Sequence, residues 1–356
     1  MYKILIILPK LTTQGGVSAY WNSMLPILKT YENLDISILE IGGNGKNLFG
    51  PFLDQYKVYI ELKKNYDLVF INPSLGKKSF FRDALFAKQI TKSKTKFLSF
   101  FHGWDKVFEK TITKKYQQFF LNSFGKSENI FVLSKDFKET ILNWGYTKKI
   151  IIETTSIDAS LIENFSLENK ILLLRESQKI KILFLARIFK EKGIYELIDA
   201  FINISKKIDN LELIIAGSGE IQNDLKEFTS EYKNIIYTGH VEGKEKVTLF
   251  TNSHMYCLPS YSEGLPTSVL EAMAFALPVI TTPVGGLKEF FLNEKMGYLV
   301  TPKNIKEIEN KLKILINNKE KVIEIGKYNN EYANEKLLNT VVAKRIYGYI
   351  QEVING

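Results

Sequence analysis

The chain has 356 residues, 45% of them apolar, with 48 Lys and Arg against 39 Asp and Glu. That length exceeds what one hydrophobic core usually supports, so two domains are expected. One cysteine, Cys257, excludes an internal disulfide framework and suits a cytoplasmic, reducing setting, and no stretch approaches the roughly 18 apolar residues of a membrane span.

The charge is uneven. Residues 1–170 hold 24 Lys and Arg against 16 Asp and Glu; the remainder hold 24 against 23. A basic half points to an acidic partner surface. There is no helix-turn-helix signature or zinc ligand set, so the expected partner is an anionic membrane face rather than nucleic acid.

Lys3 to Leu8 is a continuous apolar run, expected as a buried parallel strand. It is too short for a secretory signal, and it leads through Pro9 to Gln14-Gly15-Gly16-Val17-Ser18-Ala19. Strand, glycine loop and helix (Val17–Leu28, with Pro26 near its end) make a place where backbone can approach phosphate. A plain turn fits the glycine pair equally well.

Strands are expected next at 35–41, 68–71, 96–101, 129–133 and 149–153. The polar, glycine-bearing piece 41–47 reads as a surface loop. Strands separated by helical stretches imply a parallel α/β sheet. His102 and Gly103 follow the strand at 96–101, at the end where open α/β sheets bind ligands. Ser134 follows another strand and reads as a helix cap.

Between Lys77 and Lys115, eleven basic residues interleave with Phe80, Phe81, Phe86, Trp104 and Phe108. Exposed aromatics beside lysines would suit a lipid headgroup layer; a solvated basic face over a packed interior is the alternative.

Residues 157–178 lack a clean apolar period and are expected to link the domains. A second apolar strand, 179–186, then opens a new domain. Arg187 and Lys192 straddle the loop that follows it. Arginine's planar fork and lysine's compact charge both suit phosphate oxygens. The chain has no Asp-x-Asp motif, so no metal is expected to share that work. Further strands are expected at 211–216, ending in Gly217-Ser218-Gly219, and near 236–241. His240 and His254 read as structural. Cys257 sits in an apolar run and reads as core.

The densest signal is 257–286. Glu263 and Glu271 stand eight positions apart, separated by Gly264-Leu265-Pro266-Thr267-Ser268. Pro266 suits a first helical position. Thr267 and Ser268 would then lie in a first turn whose free N–H groups favour an anion. Two acceptors for paired hydroxyls with phosphate-binding amides between them match a sugar nucleotide. After Gly286, a strand is expected at 297–300 and helices near 305–317, 320–333 and 336–353.

The string from Cys257 to Gly286 resembles the signature of the retaining glycosyltransferases of family 4 (glycosyltransferase group 1). Ala-Arg-Ile-Phe-Lys-Glu-Lys-Gly at 186–193 is similar to that family's second signature. The resemblance implies the GT-B fold, two Rossmann-like α/β domains facing each other across a cleft. Residues 1–165 would form the acceptor-side domain, 179–335 the nucleotide-sugar domain, and 336–356 a helix returning to the first. It also implies that Arg187 and Lys192 bind the diphosphate, Glu263 positions the sugar, and Glu271 grips the ribose or its loop. Gly15, Gly16, Gly217, Gly264, Leu265 and Thr267 would line the nucleotide-sugar site, with the Val241 main chain on the base edge and His102 at the donor sugar.

The expected activity follows: retaining, metal-independent transfer of a hexose or N-acetylhexosamine from a nucleotide diphosphate sugar, a UDP-sugar being favoured. The acceptor would be a glycan or lipid-linked glycan in bacterial surface polysaccharide synthesis, handled at the inner face of the plasma membrane. Two rivals stand beside it. One is a sugar-nucleotide 2-epimerase of the same fold, and the other is a non-catalytic nucleotide-binding membrane scaffold. No cofactor is expected.

Overall fold

The computed structural model describes residues 1–13, 15–42 and 50–356. Gln14 and most of the loop expected at 41–47 lie outside them. The chain divides into two compact units, residues 1–156 with 339–356, and residues 157–338.

The first unit is built on six parallel strands: β1 (Tyr2–Pro9), β2 (Leu34–Ile41), β3 (Leu68–Ile71), β4 (Lys96–Phe101), β5 (Asn129–Val132) and β6 (Lys149–Ile152). Their order is β2-β1-β3-β4-β5-β6. Ile4 to Leu8, all of β3, and Phe97 to Phe101 are buried. Burial on both faces is why these strands read as unbroken apolar runs. The order reverses between β1 and β3, and ligands of open parallel sheets bind beside such a reversal.

The second unit repeats the plan with β7 (Ile180–Leu185), β8 (Leu211–Ala216), β9 (Ile235–Gly239), β10 (Met255–Leu258), β11 (Val279–Thr281) and β12 (Gly297–Leu299). Its parallel order is β9-β8-β7-β10-β11-β12, so the reversal falls between β7 and β10. The loops after β7 and β10 are those that carry Arg187, Lys192 and Glu263. Cys257 is fully buried in β10, and burial holds its thiol far above the usual range, which makes it inert.

The expected linker belongs to the second unit. It contains a helix, Leu167–Glu176, capped by Ser166, which accepts from Asn169 N at 3.2 Å. Lys170, only 1% exposed, points inward. Its Nζ donates to the carbonyl oxygens of Phe250 (3.1 Å), Thr251 (2.6 Å) and Ser253, closing the end of the helix Gly243–Asn252. A lysine on the inner face broke the apolar period and hid the helix.

The last helix, Asn339–Asn355, belongs to the first unit. Arg345 grips the buried Glu153 with Nε and Nη2, at 3.1 and 2.6 Å. Asn339 donates to Ser23 O at 3.1 Å, and Tyr347 stacks on Tyr31 at 3.9 Å.

The lysine-and-aromatic stretch resolves differently from the membrane-facing expectation. Phe80, Phe86, Trp104 and Phe108 are at most 9% exposed, and Phe81 is half-buried against Phe80, Phe108 and Tyr116. In the helix Lys77–Lys92 the aromatics take the inner face, so they are core and not a headgroup contact.

Replacing Lys170 tests the packing of 167–176. Lys170→Ala leaves three buried carbonyls without their donor and should lower unfolding free energy by about 2–4 kcal/mol in urea titration. A loss under about 0.5 kcal/mol would show that this helix is held by something else.

Candidate functional site

In the second unit, two loops meet at the β7–β10 reversal. The first runs from Ala186 to Gly193 and the second from Pro259 to Leu265. Main chain joins them: Tyr261 N donates to Glu191 O at 2.8 Å. Gly193 has φ +72°, and a Cβ there would stand 2.2 Å from Pro259 O, so only glycine lets the loops approach this closely. A third loop, Gly217–Gly219, packs on the first, with Ile188 N donating to Ser218 O at 2.9 Å. Gly217 has φ +137°, and a Cβ on it would lie 1.9 Å from Ala186 O. Gly217 therefore shapes the backbone beside Arg187.

These contacts bring the predicted residues together. Lys192 Nζ lies 2.6 Å from Glu263 Oε1, and both side chains are less than 15% exposed. Ser260 Oγ donates to the same oxygen at 2.7 Å. Among the described residues Glu263 Oε2 takes no hydrogen bond, which leaves it available to a hydroxyl donor. Gly264 is held by Gly286 N, which donates to Gly264 O at 2.6 Å.

Arg187 is exposed. Its guanidinium sits 5.5 Å from the Phe189 ring centroid, and among the described residues it makes no ion pair. It is a cation on the same loop as Lys192 with its donors uncommitted.

Glu271 lies in the helix Thr267–Ala274. Pro266 is the residue before that helix, one position earlier than expected; its carbonyl accepts from Val269 N at 3.1 Å. Leu265 is buried, while Thr267 and Ser268 are half-buried at the helix N-terminus. Glu271 is 7% exposed, and its Oε1 meets Lys246 Nζ at 2.8 Å. Burial raises its pKa above the usual carboxylate range, with Lys246 pulling the other way.

Tyr256 ties the end of β7 to the helix that bears Glu271. Its hydroxyl donates to Leu185 O at 2.8 Å and lies 2.7 Å from Ser268 Oγ. Burial, then the charges of Glu263 and Glu271, push its pKa well above the ordinary value, so both carboxylates act on this one hydroxyl. Val241 is half-buried just before Gly243–Asn252, the helix that carries Lys246. Lys246, Ser260 and Tyr256 escaped sequence reasoning. Lys246 and Tyr256 act through neighbours distant in the chain, and Ser260, three residues before Glu263, carries no pattern that marks it.

In the first unit, Gly15 caps α1 (Gly16–Leu28), and Gly16 opens it. A Cβ on either would meet no protein atom within 4 Å, so packing does not demand these glycines. His102 follows β4. A two-residue parallel ribbon, Ser74–Leu75 with Gly103–Trp104, holds it beside Asn72.

Asn72 fixes the histidine tautomer. Its Nδ2 donates to Ile7 O at 3.0 Å, which turns Oδ1 toward Trp21 Nε1 (2.8 Å) and His102 Nε2 (3.1 Å). A carbonyl oxygen only accepts, so His102 Nε2 carries the proton. Nδ1 is then a buried acceptor without a partner among the described residues. Burial lowers the His102 pKa to about 3, so the ring is neutral at ordinary pH. Asn72 was another residue the sequence did not reveal. His254 is structural: Nδ1 accepts from Lys181 N at 3.1 Å. His240 is exposed, 3.7 Å from Glu242.

Among the described residues no group of three His, Cys, Asp or Glu side chains is placed to hold a metal ion.

Residues 167–332 match the family model described as glycosyl transferases group 1. A capsular polysaccharide biosynthesis glycosyltransferase of Staphylococcus aureus is 30% identical over 214 residues, 59% of this chain and 54% of that one. A putative teichuronic acid biosynthesis glycosyltransferase of Bacillus subtilis is 34% identical over 121 residues, 34% and 29% of the two chains. The alignment thus spans about half the length of the first relative and less of the second.

Two solved structures share the fold across the chain. A sucrose-phosphate synthase from Thermosynechococcus elongatus has a TM-score of 0.79 at 15% identity, covering 100% of both chains. HepE of Anabaena, solved with UDP and glucose, has a TM-score of 0.73 at 16% identity, covering 99% and 100%. Both are similar in fold, and the neighbours of this fold include GT-B glycosyltransferases.

The neutral state of His102 has a measurable signature. The folded ring refuses a proton down to about pH 3, whereas the unfolded ring binds one below its ordinary value of 6.5. Its stabilising contribution is therefore full above pH 6.5 and declines as pH falls toward 3. Unfolding free energy of the wild type should drop more steeply across that window than that of His102→Asn. Parallel pH profiles would contradict the neutral state assigned to the ring here.

Proposed function

We propose that the chain, whose residues 167–332 match the glycosyl transferases group 1 model, transfers a hexose or N-acetylhexosamine from a nucleotide diphosphate sugar to a glycan or lipid-linked acceptor. A UDP-sugar is the favoured donor, and surface polysaccharide synthesis at the inner face of a bacterial membrane is the setting. The Lys192–Glu263 pair at the sheet's reversal carries this reading. It sets a cation for the leaving phosphate against an acceptor for a sugar hydroxyl, on loops that cannot drift apart.

Each residue has a task in that reaction. As the bond between the sugar and the β-phosphate breaks, negative charge grows on the phosphate oxygens. Arg187 and Lys192 meet that charge, the first by its fork and the second as a point charge. Fixed cations aimed at developing charge typically lower the barrier by several kcal/mol. In this account they do so without a metal.

Glu263 keeps Oε1 on Ser260 and, as the phosphate takes Lys192, offers Oε2 to a sugar hydroxyl. Glu271 takes the ribose diol, with Lys246 opposing the upward shift that burial imposes on its carboxylate. The amides at Gly264, Leu265 and Thr267 and the Gly217 turn flank the phosphates, and the Val241 main chain faces the base. In the first unit, Gly15 and Gly16 leave open space at the start of α1 for the acceptor side. His102 Nδ1 accepts a hydroxyl; as a neutral ring it does not serve as a general acid.

Retention follows from same-face attack. The sugar–phosphate bond breaks, the acceptor oxygen bonds to the anomeric carbon on the face just vacated, and the departing phosphate takes the acceptor proton. Glu263 then positions the sugar and forms no covalent bond. The HepE complex with UDP and glucose supports the donor class by analogy of fold.

Lys192→Ala should cut donor turnover by about 10²- to 10³-fold while the thermal midpoint moves little. Near-native turnover would refute the role given to this lysine. A thermal-shift comparison of UDP- and GDP-sugars reads the base preference, the better-bound donor raising the midpoint more.

A further inference from the structure

The helix Gly50–Glu61 is inside out. At helical spacing its exposed arc carries Phe52 (74% exposed), Leu53, Tyr56 (63%), Tyr59 and Ile60. Lys57, Lys63 and Lys64 lie on the same side, all exposed. The Lys63 ammonium sits 4.6 Å from the Tyr59 ring centroid.

The inner face carries polar residues beside the buried Val58. Asp54 is 2% exposed and accepts from Gly42 N at 2.9 Å. Gln55 donates to Arg82 O at 3.0 Å and accepts from Gln89 at 2.7 Å. A surface helix ordinarily turns these faces the other way. Chain folding alone gives no reason to present two tyrosines, a phenylalanine and two aliphatic side chains to water, and contiguous patches of that kind mark interaction sites.

We propose that this helix docks the first unit onto an anionic lipid bilayer, lying in the interface plane. Three observations select a bilayer as the occupant. Aromatic rings, tyrosine among them, favour the headgroup level, and lysines beside them reach anionic headgroups while their stems lie along apolar surface. Of the helix's two acids, Asp54 is buried, and Glu61 is half-buried and bonded to Lys64 and Tyr66. Lys64 is thus paired with Glu61, while Lys57 and Lys63 make no ion pair among the described residues, so the patch presents net positive charge. A second copy of the chain would set these lysines against each other.

The surface continues onto the neighbouring helix. Exposed Leu85, with Lys88 and Lys92, lines an open groove of about 500 Å³ whose far wall is Gln55. This docking site replaces the one expected from the aromatics of 77–115, which are core. It accords with a lipid-linked acceptor, and so deepens the function proposed above, but its geometry rests on this helix alone.

Sedimentation of the full chain with vesicles tests it, using phosphatidylcholine alone and an equal mixture with phosphatidylglycerol. The wild type should sediment with the mixture and far less with phosphatidylcholine. The variants Phe52→Ser/Tyr56→Ser/Tyr59→Ser and Lys57→Glu/Lys63→Glu should each bind the mixture about tenfold or more weakly. Their thermal midpoints should stay at the wild-type value. Lys206→Glu/Lys207→Glu, a charge change of the same sign in the second unit, should leave binding intact.

Undiminished binding by the aromatic variant would overturn the proposal, as would a wild type that sediments with neither vesicle. A wild-type dimer that dissociates in the aromatic variant would overturn it in favour of self-association. Donor-induced thermal shift, read separately, keeps the two claims apart. A chain that sediments as described yet binds no donor supports the docking surface and refutes the transferase reading.

Discussion

One ion pair organises the second unit. Lys192 and Glu263 come from loops seventy-one positions apart in sequence, yet their charged atoms lie 2.6 Å apart with little exposure. A partly buried pair of this kind costs desolvation, and its net contribution to stability is small. Its position at the point where the strand order reverses gives it another use. In the proposed reaction an incoming phosphate would take the lysine and an incoming hydroxyl the carboxylate, so both charges would stay partnered as substrate replaced the internal contact.

The rest of the unit keeps that pair in place. Glycine at 193 and 217 lets three loops touch main chain to main chain, and Gly286 holds Gly264 from behind. Tyr256 ties the end of β7 to the start of the helix bearing Glu271. Lys170 closes the unit below by collecting three carbonyls at the end of Gly243–Asn252. Positioning by backbone contacts of this density is what lets a small set of charges act on a bond without first rearranging. The first unit has its own fixed element, in which Asn72 orients both Trp21 and His102 and leaves one ring nitrogen as an acceptor.

Much of this was legible before any coordinates. The buried parallel strands announce themselves because both faces are covered, and Ser134 does cap its helix, accepting from Phe137 N at 3.2 Å. Arg187, Lys192, Glu263 and Glu271 stood out because they fall in two short motifs, and of these the structure pairs Lys192 with Glu263. Other parts were hidden for physical reasons. Lys170 faces inward, so its helix lacked an apolar period and passed for a linker. Phe80 and Phe86 alternate with lysines in sequence, but a 3.6-residue turn separates the two onto opposite faces. Helix Gly50–Glu61 is inverted, so pattern alone assigns its apolar side to the core. Asn72 and Lys246 take their meaning from partners thirty and twenty-five residues away.

The most direct test of the central claim is a crystal structure of the chain with an intact nucleotide sugar. The account predicts diphosphate oxygens within hydrogen-bond distance of Lys192 Nζ and the Arg187 guanidinium, and a sugar hydroxyl on Glu263. A nucleotide bound elsewhere, with the Lys192–Glu263 contact undisturbed, would contradict it.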